Sequence, residues 1–243
     1  MIKQVFDPEE LRVLIKNQEN FGIEVQKIYA LLLCYETKYD FCRFYASENA
    51  VIGSLYGDHV VCETGECDLD YRDLEELAEF FSFCGFSEIF CSEKVGERLS
   101  EKLECPRKKL NLMRFCGNIV PRGTEKTPPL SEIYGVLKTA FEIDYEQWYL
   151  DMSHRVRHGV TQFRRLDGAV LAIQHNINGN ALLSQIATPP ELRGQGRATR
   201  LIKAVCGELS GCSVFVLCED GLLPFYQKLG FSLQKVNYQL SSG

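Results

Sequence analysis

The sequence predicts a mixed α/β fold, a mostly antiparallel sheet flanked by helices, built as two tandem halves of similar design. Three observations predict it. Short apolar or alternating runs are joined by turn signals such as Asp167-Gly168 and Asn178-Gly179, which fold a chain back on itself. The apolar run Ala181 to Ala187 leads through a turn rich in proline and glycine into a helix with a regular apolar face. Finally, each half of the 243-residue chain runs strand, strand, strand, helix, strand, helix, strand. The division expected is a first domain over 1–117, a linker over 118–130 and a second domain over 131–243.

In chain order, Asp7-Pro8-Glu9-Glu10 starts a helix: a capping residue, a proline in the first turn and a glutamate three residues after the cap. Leu11, Leu14 and Ile15 form its apolar face, Asn17 to Gly22 breaks it, and a second helix covers Ile23 to Cys34. Strands follow at Phe41 to Ala46, Ala50 to Leu55 and His59 to Cys62, the last two joined by Tyr56-Gly57-Asp58. Leu74, Leu77, Ala78 and Phe81 mark a helix, Glu88 to Cys91 a strand, Val95, Leu99 and Leu103 a helix, and Leu110 to Phe115 a strand. Gly117 to Leu130 is poor in hydrophobic residues and holds three prolines, which makes it the linker.

The second half opens on a helix with Ile133, Val136, Leu137, Ala140 and Phe141 at helical spacing. Asp144 caps the next helix, with Gln147 three residues on and Tyr145, Trp148, Tyr149 and Met152 on one face. Strands Thr161 to Leu166 and Ala169 to His175 form a hairpin, and Asn178-Gly179 turns the chain into the strand at Ala181. From Ala198 the apolar residues Leu201, Ile202, Val205, Cys206 and Leu209 share a helix face, which Gly211 can cap. Ser213 to Cys218 is a strand, Tyr226 sits on a short helix, and Phe231 to Leu240 is the last strand.

Composition is that of an ordinary globular protein, 45% hydrophobic and 25% charged, and the net charge of -6 argues against general affinity for nucleic acid or an anionic membrane. No run approaches the length of a membrane span, and the polar N-terminus does not read as a signal peptide. The eleven cysteines are scattered, with no C-x-x-C pair and no histidine at zinc-finger spacing, so no metal site is expected. Cys91, Cys206 and Cys218 lie in apolar runs, where cysteine behaves as a small buried hydrophobe. Reduced thiols place the protein in the cytoplasm.

The stretch with chemical content is Arg193-Gly194-Gln195-Gly196-Arg197-Ala198. Small residues let the backbone approach a ligand, and a helix start presents unpaired N–H groups and a positive dipole end. Arg193, Arg197, Arg200 and Lys203 add positive charge, so the turn suits a polyanion. A tight connection with solvated arginines is the plainer alternative. The Walker pattern is excluded by the missing Gly-Lys-Ser/Thr, and the dinucleotide fingerprint by the missing third glycine and downstream acid.

The pattern R-x-x-G-x-A resembles the coenzyme A pyrophosphate loop of the GNAT N-acetyltransferase superfamily. Pro224-Phe225-Tyr226-Gln227-Lys228-Leu229-Gly230-Phe231 resembles that family's penultimate helix running into its last strand. Together the two motifs identify the second half as similar to a GNAT domain and suggest a tandem pair. The first half would be degenerate, because Thr64-Gly65-Glu66-Cys67-Asp68-Leu69-Asp70, followed by Asp73, sets carboxylates where a phosphate would lie.

The resemblance implies transfer of an acetyl group from acetyl coenzyme A to an amine, on a small molecule or a peptide. It places the pantetheine arm on backbone groups of Ile186, Ala187 and Thr188, and the pyrophosphate on Arg193, Gly194, Gln195, Gly196, Arg197 and Ala198. Tyr226 matches the family's general acid, whose hydroxyl protonates the departing thiolate; the alternative is a core aromatic. No general base stands out. His175 at a strand end and His158, beside His154, after a helix are weak candidates, and solvated side chains are the plainer reading of them. The helix before Tyr226 departs from the family pattern, with Glu219 and Leu222 where asparagine and alanine are usual. A second function therefore stays open, a non-catalytic module that senses acyl coenzyme A.

Overall fold

The computed structural model describes residues 1–16, 22–56, 59–64, 69–118 and 123–242. The first half of the chain runs β1 (Lys3–Val5), α1 (Pro8–Lys16), α2 (Ile23–Tyr35), β2 (Cys42–Ala46), β3 (Val51–Leu55), β4 (His59–Glu63), α3 (Tyr71–Cys84), β5 (Glu88–Ser92), α4 (Glu93–Lys102) and β6 (Arg107–Phe115). The second half runs β7 (Glu125–Lys126), α5 (Leu130–Leu137), α6 (Tyr145–Arg157), β8 (Gln162–Leu166), β9 (Ala169–Ile177), β10 (Asn180–Ala187), α7 (Arg197–Glu208), β11 (Ser213–Cys218), α8 (Leu223–Leu229) and β12 (Phe231–Ser241). The repeat read from the sequence thus extends further: β1, α1 and α2 correspond in order to β7, α5 and α6. This is the mixed, mostly antiparallel sheet with flanking helices that the sequence predicts. Among the described residues no helix is long and apolar enough to cross a membrane.

Local chemistry explains the elements. Asp7 accepts a hydrogen bond from the Glu9 N–H at 2.9 Å, and Asp144 accepts one from the Gln147 N–H at 2.9 Å, so both expected caps form. Asp167 and Gly168 have φ of 51° and 82°, and Asn178 and Gly179 of 50° and 74°, the paired left-handed residues of a two-residue hairpin. At Gly168, where φ is 82°, an added Cβ would be strained and would stand 2.7 Å from the end of the Leu192 side chain, which favours glycine. The helix expected to reach Phe141 ends at Leu137 and continues as a turn. Residues 17–21, 57–58 and 65–68, which hold most of two expected turns and of the acidic loop, lie outside the described residues.

The chain divides into two compact units, Met1–Leu110 with Val236–Gly243, and Asn111–Lys235. The sequence-based boundaries at 117 and 131 both fall inside the second unit. In the first unit, β1 to β4 pair antiparallel in succession, and β4 runs parallel to β5. The next partner of β5 is the end of the last strand, with Asn237 opposite Ser92 and Ser241 opposite Glu88. In the second unit β7 to β10 pair antiparallel, and β10 runs parallel to β11. There the next partner is the end of β6, with Arg114 opposite Phe215 and Asn111 opposite Cys218. Each unit therefore pairs its fifth-strand edge with the closing strand of the other half of the chain.

The sheet of the second unit has apolar residues on both faces. Leu171, Ile173, Ala181 and Leu183 pack with Leu201, Ile202 and Val205 of α7 and with Tyr226 and Leu229 of α8. On the other face Phe163, Val170, Ala172 and Ala187 pack with Ile133 and Leu137 of α5 and Trp148 and Met152 of α6. The alternation along β9 is that of a strand covered on both sides.

A buried ion pair ties β8 to α7. Arg164 Nε donates to Glu208 at 2.9 Å, and Glu208 also accepts from the Thr124 N–H at 3.0 Å and from the Thr124 hydroxyl. Burial pushes the Glu208 carboxyl up, but the bonds from Thr124 and Arg164 outweigh it and hold the pKa below the usual value. A carboxyl depressed in the folded state contributes stability above about pH 4.3, which is lost as pH falls through its folded pKa. Arg164→Met should therefore lower the unfolding free energy by about 1.5 kcal/mol at pH 7, because it removes one charge-assisted bond to a partly buried carboxylate that Thr124 still holds. The deficit should shrink in urea melts carried out below that pKa. Equal midpoints at pH 7 would remove the pair from the stability of this unit.

Candidate functional site

Strands β10 and β11 pair in parallel from Asn180 opposite Ser213 to Leu183 opposite Val216. Beyond that point both continue, β10 to Ala187 and β11 to Cys218, with no further pair between them among the described residues. A gap opens at the C-terminal ends of two parallel strands, the place where α/β sheets bind ligands.

The gap has a local cause. Opposite β9, Ser184 faces Ala172 but Ala187 faces Val170, so β10 carries one extra residue, a β-bulge. Gln185 within it takes φ of 48°, left-handed for a residue with a side chain. The bulge changes the phase of the strand. Ala181 and Leu183 point to the α7 and α8 face, and Ile186 packs there too, whereas Ala187 lies in the core under α5 and α6. Without the extra residue 183, 185 and 187 would share one face. The apolar run alone predicts a plain strand; the polar pair Ser184-Gln185 within it is the sequence signal for the bulge.

The turn after β10 leads into α7. Gly194 and Gly196 both adopt positive φ, 75° and 70°, and Gly196 caps α7 with no side-chain hydrogen bond. Nothing lies within 4 Å of where a Cβ of Gly194 would stand. The N–H groups of the first turn of α7 are consequently available as donors at a positive dipole end. Bare donors beside open glycines fit a phosphate group.

The arginines have more specific tasks than bulk charge. Arg193 Nε donates to the Thr188 carbonyl at 3.0 Å and its Nη2 to the Thr139 carbonyl at 3.0 Å. Arg197 donates to the Asp167 carbonyl and, from Nη2, to the Gln195 side chain at 3.1 Å. Arg200 donates to the Asp167 carboxylate at 2.9 Å and to the Gln195 carbonyl at 2.9 Å. Gln195 itself donates to the Glu191 carbonyl at 3.3 Å. These bonds brace the turn against the Asp167-Gly168 hairpin, so its backbone donors are held in place before any ligand arrives.

Thr188 follows the bulge. Its carbonyl is taken by Arg193, while its hydroxyl is buried without a hydrogen-bond partner. A buried hydroxyl without a partner is costly unless something satisfies it. Tyr226, on α8, is 6% exposed in the core of the second unit and packs edge-on to Phe225 and Phe231, with ring centroids 5.1 and 5.5 Å away. Burial, with a smaller push from Cys218 at the end of β11, raises its phenol to about 12. The proton therefore stays on the oxygen throughout the neutral range.

Asn111, which sequence reasoning missed, is fully buried at the same strand ends. Its Nδ2 donates to the Cys218 carbonyl at 3.2 Å and to Asp220 at 2.7 Å, and its Oδ1 has no partner. A single amide inside the apolar run Leu110 to Phe115 was its only mark in the sequence.

The histidines lie elsewhere. His175 is fully buried, not a solvated strand end, because β9 continues to Ile177 and is covered on both faces. It stands opposite Leu182, roughly 15 Å along the strand from Ala187. His158 follows the last residue of α6, exposed and stacked on His154 at 4.3 Å, roughly 15 Å along the helix axis from Trp148. Among the described residues no group of three or more His, Cys, Asp or Glu could hold a metal ion. Glu219 and Leu222 are exposed beside the short turn that precedes α8.

Comparison with known proteins finds similarity to one family over part of the chain and a shared fold over nearly all of it. Residues 142–240 match the acetyltransferase (GNAT) domain model. The fold of nearly the whole chain is shared with a Drosophila protein of known structure, at 10% identity and a TM-score of 0.68, over 99% of this chain and 98% of that one. A GCN5-related N-acetyltransferase from Sphaerobacter thermophilus is similar at 14% identity and a TM-score of 0.62, over 100% and 95% of the two chains. An acetyltransferase of the GNAT family from Colwellia psychrerythraea is similar at 12% identity and a TM-score of 0.59, over 100% of both. No curated protein sequence matches the chain.

Proposed function

We propose that the second unit, which holds most of the residues 142–240 that match the acetyltransferase (GNAT) domain model, binds acetyl coenzyme A between β10 and β11 and passes the acetyl group to an amine. The observation that carries this reading is the conjunction at one end of the sheet: the gap beyond Leu183 and Val216, and the glycine turn at the start of α7. The backbone N–H groups from Gly194 to Ala198 hold the pyrophosphate. Ile186 and Ala187 offer backbone groups to the pantetheine arm, and Thr188 offers its N–H and hydroxyl, since its carbonyl is engaged by Arg193.

The chemistry joins the amine nitrogen to the acetyl carbon and releases the thiol. Tyr226 supplies the proton that the sulfur takes as the carbon–sulfur bond breaks. Burial keeps the proton on its hydroxyl, so the fraction in the acid form does not change across the neutral range, while the raised pKa makes it a weaker donor than an ordinary phenol. The acceptor must arrive as the free amine. With both candidate histidines far from the gap, no side chain of the described residues is assigned the base; the amine's proton leaves to water, and water returns a proton to the Tyr226 oxygen. That same placement is what favours the second reading, an acyl coenzyme A sensor without turnover.

Titration of the purified protein with acetyl coenzyme A, followed by thiol release with a panel of amines, separates the readings. Micromolar binding with turnover supports the enzyme, and tight binding with no turnover supports the sensor. Tyr226→Phe should lower kcat by about 10- to 100-fold at every pH from 7 to 10, with coenzyme affinity nearly intact. An unchanged kcat would take Tyr226 out of the acid role.

A further inference from the structure

We propose that Trp148 and Gln185 are positioning residues: the indole N–H of Trp148 clamps the extra residue of the β10 bulge and so holds open the gap between β10 and β11. The proposal rests on the coenzyme reading above, and it goes beyond that reading by assigning what keeps the site in shape.

Trp148 Nε1 donates to Gln185 Oε1 at 3.1 Å. Gln185 is the residue with φ of 48°, and left-handed backbone is unfavourable for any side chain. A strained conformation persists only where its surroundings hold it. Trp148 can do the holding because it cannot move. It is 6% exposed and packs in the core with Ile133, Leu137, Met152 and Phe163, its ring centroid 5.6 Å from that of Tyr134 and 5.9 Å from that of Phe163. Its nitrogen is thus a fixed donor aimed at the bulge.

The alternative to the bulge is a regular strand. Removing the extra residue would swap the faces of Ile186 and Ala187, and it would let β10 continue pairing with β11 past Leu183. Such a slip closes the gap. The hydrogen bond to Trp148 favours the bulged register over the regular one.

The test is a double-mutant cycle read by calorimetric titration with coenzyme A on the full chain. Gln185→Leu and Trp148→Phe should each weaken binding up to about tenfold, the worth of one part-buried hydrogen bond. The double variant should be no weaker than either single variant, since one shared bond is lost. Gln185→Glu, which restores an acceptor, should bind within about twofold of wild type. Trp148 is the sole tryptophan, so its emission in Gln185→Leu reports loss of the bond directly. Variants that melt earlier yet bind coenzyme A as wild type does would overturn the clamp, and so would fully additive losses. Wild-type protein that fails to bind coenzyme A would overturn the coenzyme reading, and the clamp with it.

Discussion

Gly196→Glu should abolish coenzyme A binding, with a loss of more than about 100-fold, while the protein still melts cooperatively. Two effects act together. Gly196 has φ of 70°, so any side chain adds strain of about 1–2 kcal/mol at the start of α7. The larger effect is electrostatic. A carboxylate at the helix cap would occupy the bare N–H donors itself and face the pyrophosphate at close range. Two unit charges about 4 Å apart near a protein surface repel by about 4 kcal/mol. Gly196→Ala separates the contributions: a Cβ would meet only the Arg200 guanidinium, at 3.6 Å, so it carries the strain without the charge. Its loss should stay within about tenfold. Calorimetric titration of both variants decides the matter, and undiminished binding by the glutamate variant would mean that the turn is no phosphate cradle.

The second large effect concerns truncation. Residues 118–243 should fail to fold alone, although the sequence divides the chain there. The unit to which β11 belongs begins at Asn111, and β11 pairs with Asn111 to Arg114. Cutting at 118 bares the edge of β11 along its length and removes Met113, fully buried beside Cys218. It also removes Asn111, which ties Cys218 to Asp220. An unpaired edge of this kind invites aggregation. The fragment 1–117 has the complementary defect, because β5 loses Asn237 to Ser241 and the buried Leu240. Each fragment should be insoluble or lack a cooperative melt, and co-expression should restore both. A sharp melt of 118–243 at the temperature of the full chain would contradict this account.

Much of the fold was legible because it is local. The caps at Asp7 and Asp144, the hairpins at Asp167-Gly168 and Asn178-Gly179, and the face of α7 are each decided by residues within one turn of one another. The strands that escaped notice, β1 and β7, have three and two residues, too few for any period to register. The exchange of closing strands escaped for another reason. Reading a chain in order assumes that sequential strands are neighbours, and no residue of β6 or β12 announces which edge it joins.

The candidate site divides along the same line. The glycines at 194 and 196 were legible, since positive φ at a helix start is a backbone requirement. What the arginines do was not, because Arg193 reaches the Thr139 carbonyl, distant in sequence. His175 looked like a strand end and is core, as coverage of both faces of β9 depends on helices far along the chain. The bulge at Gln185 combines both cases: the polar pair marked it locally, but its partner Trp148 is found only in the folded structure.

The closing-strand exchange also sets a timetable for synthesis. The first unit holds Met1–Leu110 and Val236–Gly243, so its sheet cannot be completed until the whole of the second unit has left the ribosome. At the usual elongation rate, that delay is on the order of ten seconds. Throughout it the edge of β5 waits without a strand, and so does the apolar surface that Leu240 later covers. An exposed edge of this kind is one that chaperones cover, so depleting them should lower the yield of folded protein more than the length of the chain alone predicts.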